Sequence, residues 1–271
     1  MTKRRPTAPR LVDMPHIVEG LTREAEQYAA IAEEDLWWEQ IAATLPDAHM
    51  WWVTAPMAAL AHAYAPEIPA WDLAAVRPSL TGVLLWEGSS GQEWSTTDET
   101  GHTSRGPIVG AWWGVWDDTP QVIPLARTAD IPHTVPGDLI GFGPLIHDDT
   151  RATDAWMRML GATLILAQTE TVATRHRRAP GIPMPRKPSE QSLITKVVLR
   201  ETVRTIHTET VDEERDKKWQ LKNRHLVRGH WRQQACGPNR ELRRPTFVAP
   251  YIKGPADGEL RLTQEVKVWR R

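Results

Sequence analysis

The sequence predicts an α+β fold in which an acidic N-terminal domain of mixed α/β structure is followed by a basic, mostly antiparallel β module. The first half alternates long helical patterns with short apolar runs of β-forming residues. The last third has β-type segments separated by Gly- and Pro-containing turns. A stretch rich in proline and arginine divides the two, and predicts a linker over residues 176–190.

Charge divides the chain at nearly the same place. The whole sequence is balanced, with 33 Lys+Arg and 34 Asp+Glu. Residues 1–170 hold 10 basic and 23 acidic residues, whereas residues 171–271 hold 23 basic and 11 acidic. A basic segment of this size is typical of proteins with a polyanionic partner, and nucleic acid is the commonest such partner.

The N-terminal domain is predicted over residues 11–175, after a disordered basic arm at residues 1–10. Apolar residues recur every three to five positions from Leu21 to Leu45, which predicts a helix over residues 17–45. Acidic residues lie on its other side, and Pro46 ends it.

Short apolar runs then predict the strands of this domain. A helix after the first strand is expected to have Thr54 as its N-cap and Pro56 in its first turn. Residues 88–106 are rich in Gly, Ser and Thr and predict a mobile loop. A second long helix is predicted over residues 151–175, capped by Asp148 or Asp149. The predicted strands are 49–54, 82–87 and 108–116, with shorter ones at 121–124 and 138–144.

The basic module is predicted over residues 191–271. Residues 194–206 are rich in β-branched side chains, and residues 209–222 are highly charged and expected to be exposed. Two turns, at Gly237 and Gly254, separate the last three predicted strands. Those strands are 224–234, 244–252 and 264–271.

Several classes of protein are disfavoured by composition. Cys236 is the single cysteine, so no disulfide can form within the chain. No apolar segment follows the basic N-terminus, and no window reaches the ~18 apolar residues of a membrane span. We therefore expect a cytoplasmic location and no membrane partner. No nucleotide-binding loop or hydrolase motif is present, and we predict no cofactor, no metal site and no catalytic residue.

The strongest local pattern is a run of basic residues in the first C-terminal strand. Strand alternation places Arg224, Arg228 and Arg232 on one face, together with Leu226 and His230. Arginine forks match phosphate oxygens, and a tryptophan can stack on a base. The sequence thus predicts a nucleic-acid-binding surface made of Arg224, Arg228, His230, Trp231, Arg232, Arg240, Arg243, Arg244 and Lys253.

Three other interpretations stay open. The basic face could simply be solvated, without any binding partner. The basic module could dock on the acidic domain of the same chain, or on another protein, because the two halves carry opposite charge. Alternatively, His230 could act as a general acid or base in an enzyme that processes nucleic acid, although no cluster of metal-binding carboxylates accompanies it.

A resemblance adds a biological setting. The segment 225–234, with its His-x-Val-Arg-Gly-His-Trp-Arg pattern, and the segment 243–254 resemble a C-terminal module of uncharacterised proteins from actinobacterial phages, plasmids and integrated elements. Residues 51–59 and 156–168 are similar to the same group. The resemblance implies a mobile-element origin and assigns no activity to any residue.

We therefore expect a non-enzymatic accessory or regulatory protein that binds nucleic acid, DNA in the first instance, through the phosphate backbone. The acidic domain is expected to contact a protein partner. The sequence does not predict an oligomeric state.

Overall fold

The computed structural model describes residues 9–31, 36–97, 103–127, 140–143, 150–178, 194–200, 204–207, 223–255 and 260–261. It belongs to the predicted α+β class. The chain divides into two compact units, residues 1–199 and residues 200–271. The predicted arm lies outside the described residues up to position 8, and so do the predicted cap residues Asp148 and Asp149 and the last predicted strand.

The first unit has five described α-helices, and the two long predicted helices differ from them mainly at their ends. The described parts of the predicted helix 17–45 form two helices, while residues 32–35 lie outside the description. The predicted helix 151–175 is shorter, because residues 173–178 form a strand. No described helix is both long enough and apolar enough to span a bilayer. The helices are α1 (Met14–Ile31), α2 (Leu36–Thr44), α3 (Ala55–Tyr64), α4 (Leu73–Val76) and α5 (Thr150–Gln168).

An eight-stranded sheet runs through this unit. It contains β1 (His49–Val53), β2 (Gly82–Trp86), β3 (Glu93–Thr97), β4 (Thr103–Trp116), β5 (Thr119–Arg127), β6 (Ile140–Phe142), β7 (Ala173–Arg178) and β8 (Ile194–Leu199). The strand order is β6-β5-β4-β2-β1-β8-β7, and β3 pairs with β4 off this path. Strand β1 is parallel to both neighbours, whereas the other pairs are antiparallel. The predicted loop 88–106 thus contains β3 and the start of β4.

Alternation along β1 sends two adjacent tryptophans to opposite sides of the sheet. Trp52 belongs to a core cluster with residues of α1 and α2, including Leu21 and Ile41. Trp51 is equally buried but lies outside that cluster. The sheet therefore buries both of its faces around β1, as expected for a strand with parallel neighbours.

On the other face, α5 packs closely because of one glycine and one buried hydrogen bond. The indole Nε1 of Trp86 donates to the Thr163 hydroxyl at 3.1 Å. A Cβ at Gly161 would come within 2.3 Å of the Trp71 ring, so only glycine lets the helix approach this indole.

The N-terminus of α3 is stabilised by a residue that the sequence does not indicate. Thr54 occupies the N-cap position, but its hydroxyl donates to the Val197 carbonyl at 3.1 Å instead of capping the helix. The backbone N–H of Ala55 donates to Glu87 Oε2 at 3.0 Å. Thr54 is therefore the N-cap residue, as predicted, but its side chain bonds to β8 instead of to the first turn of α3.

Strand β8 shifts the boundary between the units from its predicted place. The sequence-based boundary assigns residues 191–199 to the basic module and residues 176–178 to a linker. In the structure β8 lies between β1 and β7, with Ile194 and Val197 fully buried. The free energy gained by burying these two β-branched side chains against β1 explains why β8 belongs to the first unit, although basic residues surround it in the sequence.

The second unit contains six described strands. These are β9 (Arg204–His207), β10 (Arg224–Val227), β11 (His230–Cys236), β12 (Leu242–Val248), β13 (Tyr251–Gly254) and β14 (Leu260–Arg261). One sheet has the order β14-β10-β13-β9, and β11 pairs with β12 in a second. The pairs β10–β13 and β11–β12 are antiparallel, whereas β14 and β9 join their neighbours in parallel.

Candidate nucleic-acid interface

The predicted strand 224–234 is interrupted, but its pairing register is not. Strand β10 ends at Val227, opposite Tyr251, and β11 begins at His230, opposite Val248. Two residues therefore separate the paired segments on each side, and the pairing resumes without a shift. One of them is Pro250, which has no N–H for the ladder. We call this continuous antiparallel arrangement, residues 224–254, the β-ribbon.

Solvent exposure alternates along the β-ribbon across the interruption. Leu226, Arg228, His230 and Arg232 are exposed, while the odd-numbered residues between them are half-buried or, at Gly229, buried. This is the alternation that the sequence predicts for this segment. Arg224 is the exception among the predicted face residues, because it is half-buried and has an interaction partner.

The partner strand brings a further arginine to the same side. Residues directly opposite in an antiparallel pair point to the same face. Arg232 lies opposite Thr246 and Gln234 lies opposite Arg244, so Arg232 and Arg244 are diagonal neighbours, about 7 Å apart at Cβ. We call His230, Arg232, Gln234 and Arg244 the arginine face; all four side chains are exposed, and Arg228 flanks them.

Among the described residues, no carboxylate neutralises the arginines of this face. Residues 223–255 hold seven Lys/Arg and a single acidic residue, Glu241. The structure shows a salt bridge between Arg10 and Asp13 and a contact between His16 and Glu19, and both lie in the first unit, away from the sequence of this face. Arg228, Arg232 and Arg244 therefore point a concentrated positive charge at solvent.

Two other predicted residues shape the turn of the β-ribbon. Asn239 and Arg240 both have positive φ, at 55° and 58°. The guanidinium Nη1 of Arg243 donates to the Arg240 carbonyl at 3.0 Å. Arg243 lies opposite Ala235, on the side away from the arginine face. Its role in this arrangement is to hold the turn, which leaves the exposed Arg240 side chain at the tip of the ribbon.

The predicted stacking tryptophan belongs to the other side of the β-ribbon. Trp231 lies opposite Phe247, with ring centroids 5.0 Å apart and planes at 68°. Phe247 is 2% exposed and Trp231 is half-buried. This edge-to-face pair is the apolar support of the ribbon, so the structure separates Trp231 from the arginines.

Lys253 is likewise separated from the arginine face. It lies opposite His225 in β10, and β13 is an inner strand with β9 on its other side. Its side chain is half-buried. The structure therefore brings together Arg228, His230, Arg232 and Arg244 and assigns Arg240 to the tip, whereas Arg224, Trp231, Arg243 and Lys253 lie elsewhere.

The geometry around His230 is that of a surface residue. Its Nδ1–H donates to the Arg228 carbonyl at 3.2 Å, because a carbonyl oxygen can only accept. Among the described residues, no carboxylate bonds to this imidazole, and no group of three His, Cys, Asp or Glu side chains could hold a metal ion.

A second basic surface was missed by the sequence analysis. The predicted helix and linker divide residues 175–177, Arg-His-Arg, between them, yet these residues form part of β7, the last of the described strands in the order of the eight-stranded sheet. All three side chains are exposed. The sequence signal for this surface is the run of basic residues that directly follows the apolar pattern of the helix.

The chain shows little similarity to known proteins. No family model and no curated protein matches the chain. Among solved structures, the crystal structure of AcrVA2 aligns with 92% of this chain and 88% of that chain, at 14% identity and a TM-score of 0.29. A likeness at this TM-score supports no inference about fold or function.

Proposed function

We propose that the protein binds nucleic acid non-enzymatically, through contacts between the arginine face and backbone phosphates. The observation that carries this proposal is the exposed row of Arg228, Arg232 and Arg244, which has no carboxylate partner in the described structure. Planar guanidinium groups bind phosphate oxygens in bidentate fashion, and each contact releases condensed counterions.

The shape of the surface favours duplex DNA as the ligand. A two-stranded antiparallel ribbon fits the major groove, and its edges meet the flanking phosphates. The half-buried Trp231 is not presented as a stacking platform, which disfavours a single-strand mode based on base stacking. The accessory or regulatory role in a phage, plasmid or integrated element rests on the sequence resemblance of residues 225–234 and 243–254.

The test is fluorescence anisotropy of the full chain with labelled duplex DNA, single-stranded DNA and RNA over a salt series. The double variant Arg232→Gln/Arg244→Gln should weaken duplex binding and reduce the salt slope by about 2, close to one unit for each phosphate that is no longer neutralised. Arg23→Gln/Arg105→Gln is the matched control, because it removes two exposed charges from the first unit and should leave binding unchanged.

Two results would contradict the proposal. Equal affinity of the two double variants would show that the arginine face is not the contact surface. A salt slope near zero for the wild type would mean that phosphates do not drive binding, as in docking between proteins. His230→Ala addresses the enzymatic alternative in the same assay: a binder keeps most of its affinity, while duplex cleavage by the wild type and its loss in the variant would favour a nuclease.

A further inference from the structure

One residue of the arginine face, Gln234, is a neutral carboxamide next to two cations. It lies directly opposite Arg244 in the pair β11–β12, and Arg232 precedes it by two positions in β11. Because side chains two apart in a strand point to the same face, the three side chains form one exposed group. A neutral amide releases no counterions from DNA, so any contribution that Gln234 makes to binding differs in kind from that of the arginines.

The carboxamide of Gln234 is accessible to a ligand. Its side chain is exposed, and its Nε2 donates to the neighbouring Ala235 carbonyl at 3.3 Å, which is long for a hydrogen bond of this type. A ligand can replace such a weak surface contact at little cost. The adjacent Gln233, in contrast, lies opposite the buried Pro245, on the other side of the β-ribbon. The two glutamines therefore belong to different faces.

The dimensions of the β-ribbon decide which part of a duplex each side chain reaches. This step rests on the proposed function, in which the ribbon lies in the major groove. Each strand lies about 2.5 Å from the midline of the ribbon, whereas the groove walls lie about 6 Å from it. The long side chains of Arg232 and Arg244 extend far enough to contact phosphates on the walls. The shorter side chain of Gln234 instead meets base edges on the floor of the groove.

Adenine is the base that matches a carboxamide. Its major-groove edge places an acceptor, N7, next to a donor, the N6 amino group. The side chain of Gln234 places a donor, Nε2, next to an acceptor, Oε1, so both hydrogen bonds form at once. Guanine offers two acceptors, cytosine a donor and thymine an acceptor, and each of them leaves one polar atom of the amide without a partner.

We propose that Gln234 reads adenine in the major groove of duplex DNA and thereby gives the protein a sequence preference. Arg232 and Arg244 contact the phosphates, which fixes the register of the ribbon on the duplex but carries no sequence information. The preferred ligand is thus a duplex with an A·T pair at one defined position under the β-ribbon, and not any polyanion.

The test begins with selection of ligands for the full chain from a pool of random-sequence duplexes. The wild type should enrich sites with adenine at one position, and exchange of that A·T pair for G·C should weaken binding at least about fivefold in fluorescence anisotropy. Gln234→Ala should lose this preference and keep the salt slope, because no phosphate contact is removed. Gln233→Ala is the matched control, since it removes the same carboxamide from the other face and should keep the preference.

Modified DNA shows whether the contact with adenine is direct. In 7-deazaadenine a C–H group replaces N7, while the Watson–Crick edge is unchanged. At the selected position this base should weaken binding of the wild type and leave the affinity of Gln234→Ala unchanged. A preference that came from the shape of the duplex would instead persist in Gln234→Ala.

Four outcomes would overturn the proposal while the proposed function still holds. These are enrichment without any base preference, a preference for another base at the position that Gln234→Ala affects, an adenine preference that survives in Gln234→Ala, and a loss of affinity in that variant that is equal for all sequences. The last would make Gln234 a phosphate contact. Absence of duplex binding, or an unchanged salt slope in Arg232→Gln/Arg244→Gln, would overturn the proposed function and this inference with it.

Discussion

Glu24 is a carboxylate that the first unit keeps largely out of water, at 8% exposure. Its Oε2 accepts the backbone N–H of Phe142 at 3.0 Å, and its Oε1 accepts the Tyr28 hydroxyl at 3.2 Å. One side chain of α1 thus accepts the hydrogen bond of a backbone N–H in β6. Because buried carboxylates are costly unless they are hydrogen-bonded, this arrangement fixes the position of α1 over β6.

Tyr28 gives this contact a pH dependence. Burial, together with the Glu24 carboxylate, raises the pKa of Tyr28 to about 12 from its usual 10.0. A raised pKa means that the folded state holds the proton more tightly, so the contribution to stability is complete below pH 10 and is lost as the pH rises towards 12. Tyr28→Phe should cost about 1 kcal/mol at neutral pH, because one hydrogen bond is removed.

In alkaline solution the wild type and Tyr28→Phe should converge. Urea unfolding, measured below pH 10 and again close to pH 12, should show a smaller difference between the two proteins at the higher pH. A difference that stays constant over this range would mean that Tyr28 ionises equally in the folded and unfolded states.

At the scale of elements, the β-ribbon depends on one aromatic pair. Phe247 is 2% exposed and supports the half-buried Trp231 on the side away from the arginine face. Phe247→Ala should destabilise the ribbon by about 3–5 kcal/mol, because apolar burial is removed and a cavity is left behind. Hydrogen exchange measured by mass spectrometry should then become faster in residues 230–236.

Thr246→Ala is the control for this measurement. Thr246 neighbours Phe247 in β12, but it lies opposite Arg232 and is only half-buried. Exchange in residues 230–236 should change little in this variant. Equal acceleration in both variants would mean that backbone propensity, not the aromatic pair, stabilises the ribbon.

The elements show what alternation and turn chemistry can predict. The exposed positions from Leu226 to Arg232 follow directly from the period of two in a strand. The sequence pattern predicts an unbroken strand over residues 224–234, whereas the structure interrupts it next to Pro250, which has no N–H for the ladder. That Trp231 supports Phe247 instead of facing a ligand depends on register, which only the paired strands define.

Long-range pairing explains the remaining differences. Glu87 caps α3 across 32 positions, and Thr54 bonds to Val197 across 143. Local patterns carry no information about such partners. For the same reason, the sequence does not predict that β8 belongs to the large sheet. Its neighbours β1 and β7 are far apart in sequence, and the residues around β8 resemble a linker and a basic module.

For the molecule as a whole, the two structural units differ less in net charge than the two parts of the sequence that are divided at residue 170. Residues 1–199 hold 16 basic and 24 acidic residues, and residues 200–271 hold 17 and 10. The difference from the sequence-based division comes from the basic strand β7 and the segment that follows it. Opposite charge therefore marks the two units less sharply than it marks the two parts of the sequence that meet at residue 170.

Truncation tests this boundary. A fragment of residues 1–199 retains β8, whereas a fragment of residues 1–190 ends with the last residue of the predicted linker and lacks β8. Without β8, strand β7 loses its partner, β1 loses one of its two neighbours, and the buried Ile194 and Val197 are absent. Their burial contributes about 2 kcal/mol each. At about 2–4 °C per kcal/mol, the shorter fragment should melt roughly 10 °C lower or lose its cooperative transition.

Circular dichroism during heating provides the measurement, with the full chain as reference. Val197→Asp in the fragment 1–199 should resemble the shorter fragment, because it buries a charge next to β1, whereas Val198→Asp, at a half-buried position, should be milder. Equal melting of the fragments 1–199 and 1–190 would place the boundary in the predicted linker after all.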